Sequence, residues 1–482
     1  MKRSILVWAL GAACAAGAAV YDVRDFGAAG DGRAKDTAAV QRAVDAAHAA
    51  GGGTVEVPAG TYVCGSIFLR SHVDFHVGPG AEIRASADPA DYNAPDVCPQ
   101  NWTSVNEAHK GGHLFLCIEQ ENVTVRGPGR INGNSRAFLV GPRGERWGQG
   151  SVPFRPAQML YFVESRDVRV QDLELADSSY WSCFFHGCEQ VSARGLWIHN
   201  VRTGFHTHNG DGIDIDCCRF TTVSNCKINT PHDDALVLKS SYALKRPVVC
   251  ENILIANCLV TGYKVGTVLD ATYVPEKVNW VCGRIKLGTE SNGGYRNITI
   301  TGCNCFYSSG LAFEEVDQGK MENIMVSNIS MSHVHHYPIY ITTGCRNRGP
   351  KERTDVSSAR DIQISNVTID DCDSLSGIQI TGMPGYPIEN IRLSNIQIRY
   401  RGGVQRQVPV DYPELGTKYP EPAKFLGTCP AYGLFARHVR GLQLSHVTFM
   451  PDQPDSRPSI ITTDVEGLVM DHVDTPDGLG SR

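Results

Sequence analysis

A chain of 482 residues with 49 glycines can hold two or three domains, or one repetitive domain with a large core. Its formal charge of −6, with no blocks of basic residues, disfavours nucleic acid or an anionic membrane surface as partner. Beyond residue 20 no stretch has the length and apolarity of a membrane span.

The chain opens with Lys2 and Arg3, an apolar run, and then Ala16-Gly17-Ala18. That order marks residues 1–19 as a secretory signal peptide cut near Ala18 or Ala19. The product is therefore expected in the periplasm or outside the cell. Gly11-Ala12-Ala13-Cys14 resembles a lipoprotein cleavage box only weakly, because the usual leucine is missing, and anchoring through Cys14 is disfavoured.

Next comes a helix that Asp36 or Thr37 can cap, with Val40, Ala43, Val44 and Ala47 on one face and Gly51-Gly52-Gly53 ending it. A short amphipathic helix followed by strands suits a lid over the open end of a solenoid.

From about Val73 a short phrase recurs: Asn, Asp or Gly followed by alternating apolar residues. It stands at Asn122, Asp167, Asn252, Asn297, Asn323, Asp361, Asn390, Gly441 and Gly467, with Gln190 as a variant. Each phrase has the period-2 alternation of a half-buried strand. The intervals cluster between roughly 22 and 45 residues, the longer ones holding two coils or an insertion. Short strands without crossover helices could form a sandwich, a propeller or a parallel β-helix. A polar residue at one fixed phase means that each coil repeats the last, and Asn-Gly hairpin turns are nearly absent between phrases. The fold class is therefore all-β, a right-handed parallel β-helix with a short N-terminal capping helix. Residues 20–482 form one such domain, interrupted by rim insertions near 86–113, 262–281 and 401–430, which are rich in Pro, Gly, Tyr and Trp.

Seventeen cysteines would permit disulfides in an oxidising compartment. Cys226, Cys258 and Cys303 instead recur at one phase, as small buried residues stacked along a core do. Cys217-Cys218 and Cys303-x-Cys305 lack zinc-like partners.

The stretch 206–240 places Asp211, Asp214, Asp216, Asp233 and Asp234 among strand-forming apolar residues, where a structural strand avoids carboxylates. Asp211 and Asp233 lie one coil apart, so stacked coils would bring them to adjacent strands about 4.8 Å apart. Carboxylates that close split their proton affinities, which lets an acid and a base coexist. Each aspartate taken alone could equally be a turn former or a solvated strand edge.

These residues resemble glycoside hydrolase family 28, the polygalacturonases and related pectin hydrolases, whose fold is a pectate-lyase-like solenoid. The resemblance runs from Val23-x-Asp25-Phe26-Gly27-Ala28-x-Gly30-Asp31-Gly32 to about residue 400. Asn209-Gly210-Asp211-Gly212-Ile213-Asp214 looks like the family's Asn-Thr-Asp-Gly-x-Asp, and His232-Asp233-Asp234 with Lys239-Ser240 looks like its Gly-Asp-Asp and Lys-Ser. By that likeness Asp233 is the general acid, and Asp211 and Asp234 hold and deprotonate the attacking water, with inversion at the anomeric carbon. Asn209, His232, Lys239, Arg284, Lys286 and Glu290 are the expected substrate-binding residues. No cofactor or metal is implied, and the expected partner is a pectic poly- or oligosaccharide met by a monomer. Asp233 and Asp234 are sequence neighbours, so the backbone must bend there for both to face one cleft.

The downstream motifs depart from the family. In one register Gly262-Tyr263-Lys264 replaces the Gly-His-Gly strand and Arg284-Ile285-Lys286 is the cation pair that binds a uronate. In the other, Gly288-Thr289-Glu290-x-x-Gly293-Gly294 matches the family's Gly-Ser-Glu-x-x-Gly-Gly. Gly283-Arg284 then stands at the His motif and Leu311-Ala312-Phe313-Glu314 at the cation pair. The second register keeps the coil count and is preferred. The motif His is absent in both. Glu314 and Glu315 suggest a neutral sugar, such as rhamnose, in that subsite. His206, His208, His335 and His336 could line the cleft or be structural, and Tyr337 and Tyr340 could stack on sugar or pack a core. Two other functions remain open: a calcium-dependent lyase using Asp211, Asp214 and Asp216 as ligands, and a non-catalytic carbohydrate-binding solenoid.

Overall fold

The computed structural model describes residues 19–94, 112–138, 154–200, 210–275, 281–374, 377–406, 408–410, 413–421 and 427–476. The signal segment, apart from Ala19, and Asn209, His206 and His208 lie outside the described residues, as do parts of all three expected rim insertions.

The strands form one continuous sheet wound as a right-handed parallel β-helix. On one face of the coil Ile213–Asp216 pairs in parallel with Leu236–Ser240. Leu236–Ser240 pairs with Ile285–Ser291, and that strand with Leu311–Glu315. Alternate residues of these strands turn inward, so Ile213, Ile215, Leu236, Leu238, Ile285 and Leu287 are fully buried in one core. Each such side chain contributes on the order of 1.5–3 kcal/mol by leaving water.

The recurrent phrase has a backbone cause. Asn122, Asn252, Asn297, Asn323, Asp361 and Asn390 all have φ between 51° and 59°, in the left-handed region that Asn and Asp tolerate better than other non-glycine residues. Gly441 and Gly467 take the same place at φ 76° and 66°. The side chains then ladder between coils: Asn297 donates to Asn252 at 2.9 Å and Asn323 to Asn297 at 2.8 Å. One coil escapes the phrase because Phe220 holds this position, at φ 53°.

The helix Thr37–Ala49 lays Val40, Ala43, Val44 and Ala47 on the end of the core, as expected. Its capping differs. Asp36 sits at the N-cap without a capping bond; its carboxylate instead accepts from the Ala29 and Gly30 amides at 2.7 and 3.1 Å, and Thr37 Oγ1 accepts from the Gly65 amide. Both side chains tie the helix to flanking loops. Cys226, Cys258 and Cys303 are buried in successive coils, and every cysteine among the described residues is a free thiol. No helix among the described residues is long and apolar enough to cross a membrane.

Candidate active site

One row of residues runs across the outer face of the sheet that carries Ile213–Asp216. It reads Tyr161, Phe184, Asp214, Val237, Lys286, Ala312 and Tyr340 in successive coils. The row is apolar at both ends and charged only across the coils between. Charge is thus concentrated at one band of an otherwise apolar face, where nothing in the fold requires it.

The backbone bends into that band before Leu236–Ser240 begins. The Asp233 amide donates to Thr230 O at 3.3 Å, and the Asp233 carboxyl turns back to accept from the Asp234 amide at 3.0 Å. Strand alternation is broken there, and the nearest oxygens of Asp233 and Asp234 lie within 4.8 Å of each other. The coil before approaches closely: a Cβ on Gly212 would sit 2.5 Å from Ala235 O. Gly212 therefore sets the spacing that brings Asp211 to Asp233.

Asp211, Asp233 and Asp234 do meet, each in a different electrostatic state. Burial, then the charges of Asp211 and Asp234, push the Asp233 carboxyl well above the usual carboxylate range. Asp233 nonetheless keeps some access to solvent. Burial also raises Asp211, against the pull of Lys239, and Asp211 and Asp233 share a hydrogen bond. Burial would raise Asp234 too, but Arg284 and Lys286 outweigh it and hold that carboxyl well below its ordinary value. Arg284 Nε lies 2.5 Å and Lys286 Nζ 3.1 Å from its oxygens, and Cys282 Sγ donates to it at 3.0 Å. The triad thus holds a proton on the Asp233–Asp211 pair beside a permanent carboxylate.

Lys239 is the hub of the first half of the site. Its Nζ lies 3.5 Å from Asp211, 3.2 Å from Asp214 and 3.9 Å from Glu290, and 3.8 Å from the centre of the Trp181 ring. Glu290, pushed up by burial but drawn down to about 2 by Lys239, Arg346 and Arg348, faces Arg348 at 3.0 Å and Arg346 at 3.5 Å. It meets protein cations and steadies Lys239. His232 lies half-buried on the turn beside Asp233.

Arg284 and Lys286 are also engaged by the protein's own acids. Glu421 accepts from both Nη atoms of Arg284 at 3.3 Å, and Lys286 lies 3.6 Å from Glu314. A substrate carboxylate meeting either cation would have to compete with these partners. Pairing of Ile285–Ser291 with Leu236–Ser240 and of Leu311–Glu315 with Ile285–Ser291 gives the coil order of the second register. Arg284 stands one coil after Asp233 and Glu314 one coil further on.

Sequence reasoning missed Glu421, Tyr419, Arg346, Arg348 and Trp181. Tyr419 places its ring within 6 Å of Lys286, Arg346 and Arg348, and it arrives with Glu421 on a proline-rich segment without periodicity. Arg346-Asn-Arg348, just past the strand Ile339–Thr343, was the readable signal, a pair of cations two residues apart. His336, Tyr337 and Tyr340 line a pocket with Arg284 and Glu421. Asp211, Asp214 and Asp216 do not converge as calcium ligands: the Lys239 ammonium sits against the first two, and Asp216 is bonded by the Ser241 amide and hydroxyl. Three groups among the described residues have metal-like spacing: Asp233 with Asp234 and Cys282, His186 with Asp216 and Cys217, and, away from the site, His446 with Asp471 and His472. In the first, Arg284 and Lys286 already neutralise Asp234.

Residues 89–265 match the family described as Glycosyl hydrolases family 28, and residues 20–81 match Rhamnogalacturonase A/epimerase, pectate lyase-like. A probable polygalacturonase of Vitis vinifera is 26% identical over 226 residues, covering 45% of this chain and 44% of that protein. Mannuronan C5-epimerase AlgE1 of Azotobacter vinelandii is 71% identical over 122 residues, covering 23% of this chain and 9% of that protein. The solved family 28 exopolygalacturonase of Yersinia enterocolitica superposes with a TM-score of 0.68 at 16% identity, over 94% of this chain and 78% of that one. Over residues 89–265 the chain is thus similar to family 28 of the glycosyl hydrolases. It spans less than half the length of the curated relatives it matches.

Proposed function

We propose that the protein is an exported hydrolase that cleaves glycosidic bonds of pectic poly- or oligosaccharides, acting as a single β-helical catalytic domain and a monomer. The observation that carries this reading is the triad itself, a proton-holding Asp233 hydrogen-bonded to Asp211 next to a cation-clamped Asp234. Asp233, still in reach of solvent, protonates the leaving oxygen. Asp234 stays ionised and orients water. A carboxylate gripped by two cations is a weak base, so Asp211, with its raised proton affinity, takes the proton from that water. Lys239 positions Asp211, and Glu290 positions Lys239; His232 and Asn209 contact the sugar.

The stereochemical outcome is inversion, an expectation carried by the family. Retention is a second reading, because retaining enzymes bring their two carboxyls closer together than inverting ones do and the nearest oxygens of Asp233 and Asp234 lie within 4.8 Å of each other. Against retention, Asp234 is held by Arg284 and Lys286, which blunts it as a nucleophile. Incubation with a panel of galacturonan and rhamnogalacturonan oligosaccharides, followed by NMR of the first anomeric proton released, tests the reading. A new reducing end of inverted configuration is expected. An unsaturated product absorbing in the ultraviolet would replace hydrolysis by elimination, and binding without any product would make the solenoid a carbohydrate-binding protein.

A further inference from the structure

We propose that Glu421 sets the sugar specificity of the site: it fills the guanidinium fork of Arg284 and so favours an uncharged sugar over a uronate beside that pair. This rests on the reading of the site as carbohydrate-cleaving and names the unit it accepts.

Arg284 reads carboxylates through paired N–H donors in a fixed fork. Here both Nη atoms already bond the two oxygens of Glu421 at 3.3 Å, and Nε bonds Asp234. Arg284 and Glu421 are 5% and 4% exposed, so the contact is built into the protein rather than made at a solvated rim. The fork is saturated by the chain's own acids.

Beside this pair lies a small pocket whose wall includes Ser309, Ala312, His336, Tyr337 and Tyr340. Tyr337 and Tyr340 pack against Ala312 and Phe435, and the serine and histidine supply hydrogen-bonding groups to the wall. Among these lining residues Arg284 is the one strong cation, and it is spent on Glu421. A uronate would place its charge against Glu421, and juxtaposed like charges are the usual means of rejecting a wrong partner. A neutral hexose or 6-deoxyhexose meets no such penalty.

The test compares galacturonate oligosaccharides with their carboxyl-reduced counterparts, which differ only in charge, and adds rhamnose-terminated rhamnogalacturonan fragments. Calorimetric binding to Asp233→Asn protein and kcat/KM of the active enzyme are measured with and without Glu421→Gln. Wild-type protein is expected to prefer the reduced and rhamnose-terminated ligands. Glu421→Gln should raise the uronate-to-neutral ratio at least about tenfold, one decade in the binding constant. Glu421→Asp, which keeps the charge, should leave uronates excluded, and thermal melts check that the variants fold. A wild-type preference for uronate, or a ratio that Glu421→Gln leaves unchanged, would overturn the proposal. If no ligand is cleaved but the binding ratio shifts as stated, specificity stands and hydrolysis fails. If cleavage occurs without charge discrimination, the reverse holds.

Discussion

Glu314 is fully buried; among the described residues neither of its carboxylate oxygens has a hydrogen-bond partner, and Lys286 lies 3.6 Å away. Burial pushes its proton affinity up from 4.5 to about 7, Lys286 and Arg284 restraining the rise. The folded protein therefore holds this proton where the unfolded chain has lost it. Stability from that proton is fully present below pH 4.5 and disappears as pH rises through about 7. At about 1.4 kcal/mol per decade of affinity, the loss approaches about 3 kcal/mol. Glu314→Gln keeps the shape and removes the titration. Urea unfolding of both proteins at pH 4 and pH 8 should show the variant gaining about 3 kcal/mol relative to wild type between the two. A difference between the proteins that stays constant from pH 4 to pH 8 would refute the reasoning, because it would mean Glu314 is ionised throughout and paired with Lys286 as Asp234 is.

The rate should depend on pH as a bell belonging to the Asp233–Asp211 pair, since both carboxyls are raised and share a hydrogen bond. Activity rises as the first proton leaves the pair and falls as the second is lost from Asp233; a kcat/KM profile that keeps climbing into alkali would contradict this assignment. Lys239→Met strips Asp211, Asp214 and Glu290 of a shared cation. It should destabilise the protein by about 3–5 kcal/mol, as removal of one partner of a buried ion pair does, and should move the acid limb of the profile upward as Asp211 holds its proton more tightly. Gly212→Ala drives a methyl against Ala235 O and should cost about 1–3 kcal/mol by overpacking. Its kcat should fall further than its stability explains, because the shift separates Asp211 from Asp233; unchanged kcat in a folded variant would show that the coil spacing is not critical.

The fold was legible because a left-handed backbone position recurs from coil to coil among the described residues and mostly selects Asn, Asp or Gly. Where Phe220 fills that position the coil was invisible. The carboxylate cluster was legible for the opposite reason, since acids among strand formers go against local preference, and the bend required at Asp233–Asp234 is present. What the sequence could not convey is how far partners travel. Glu421 meets Arg284 across 137 residues from a segment with neither periodicity nor motif. Arg284 and Lys286 therefore read as cations waiting for a substrate, whereas the folded chain supplies carboxylates for both. Asp36 illustrates the same limit locally, where an N-cap residue and a loop clamp have one sequence signature and only the position of residues 29–30 decides between them.

The proposed catalysis depends most on Asp233 giving its proton to the departing sugar. Release of reducing ends from the preferred pectic oligosaccharide by wild type and by Asp233→Asn, compared at the wild-type pH optimum, measures this directly. Loss of the general acid should slow release by at least about 10²–10⁴-fold with substrate binding retained. Release by the asparagine variant within a few-fold of wild type would place the acid elsewhere and contradict the assignment.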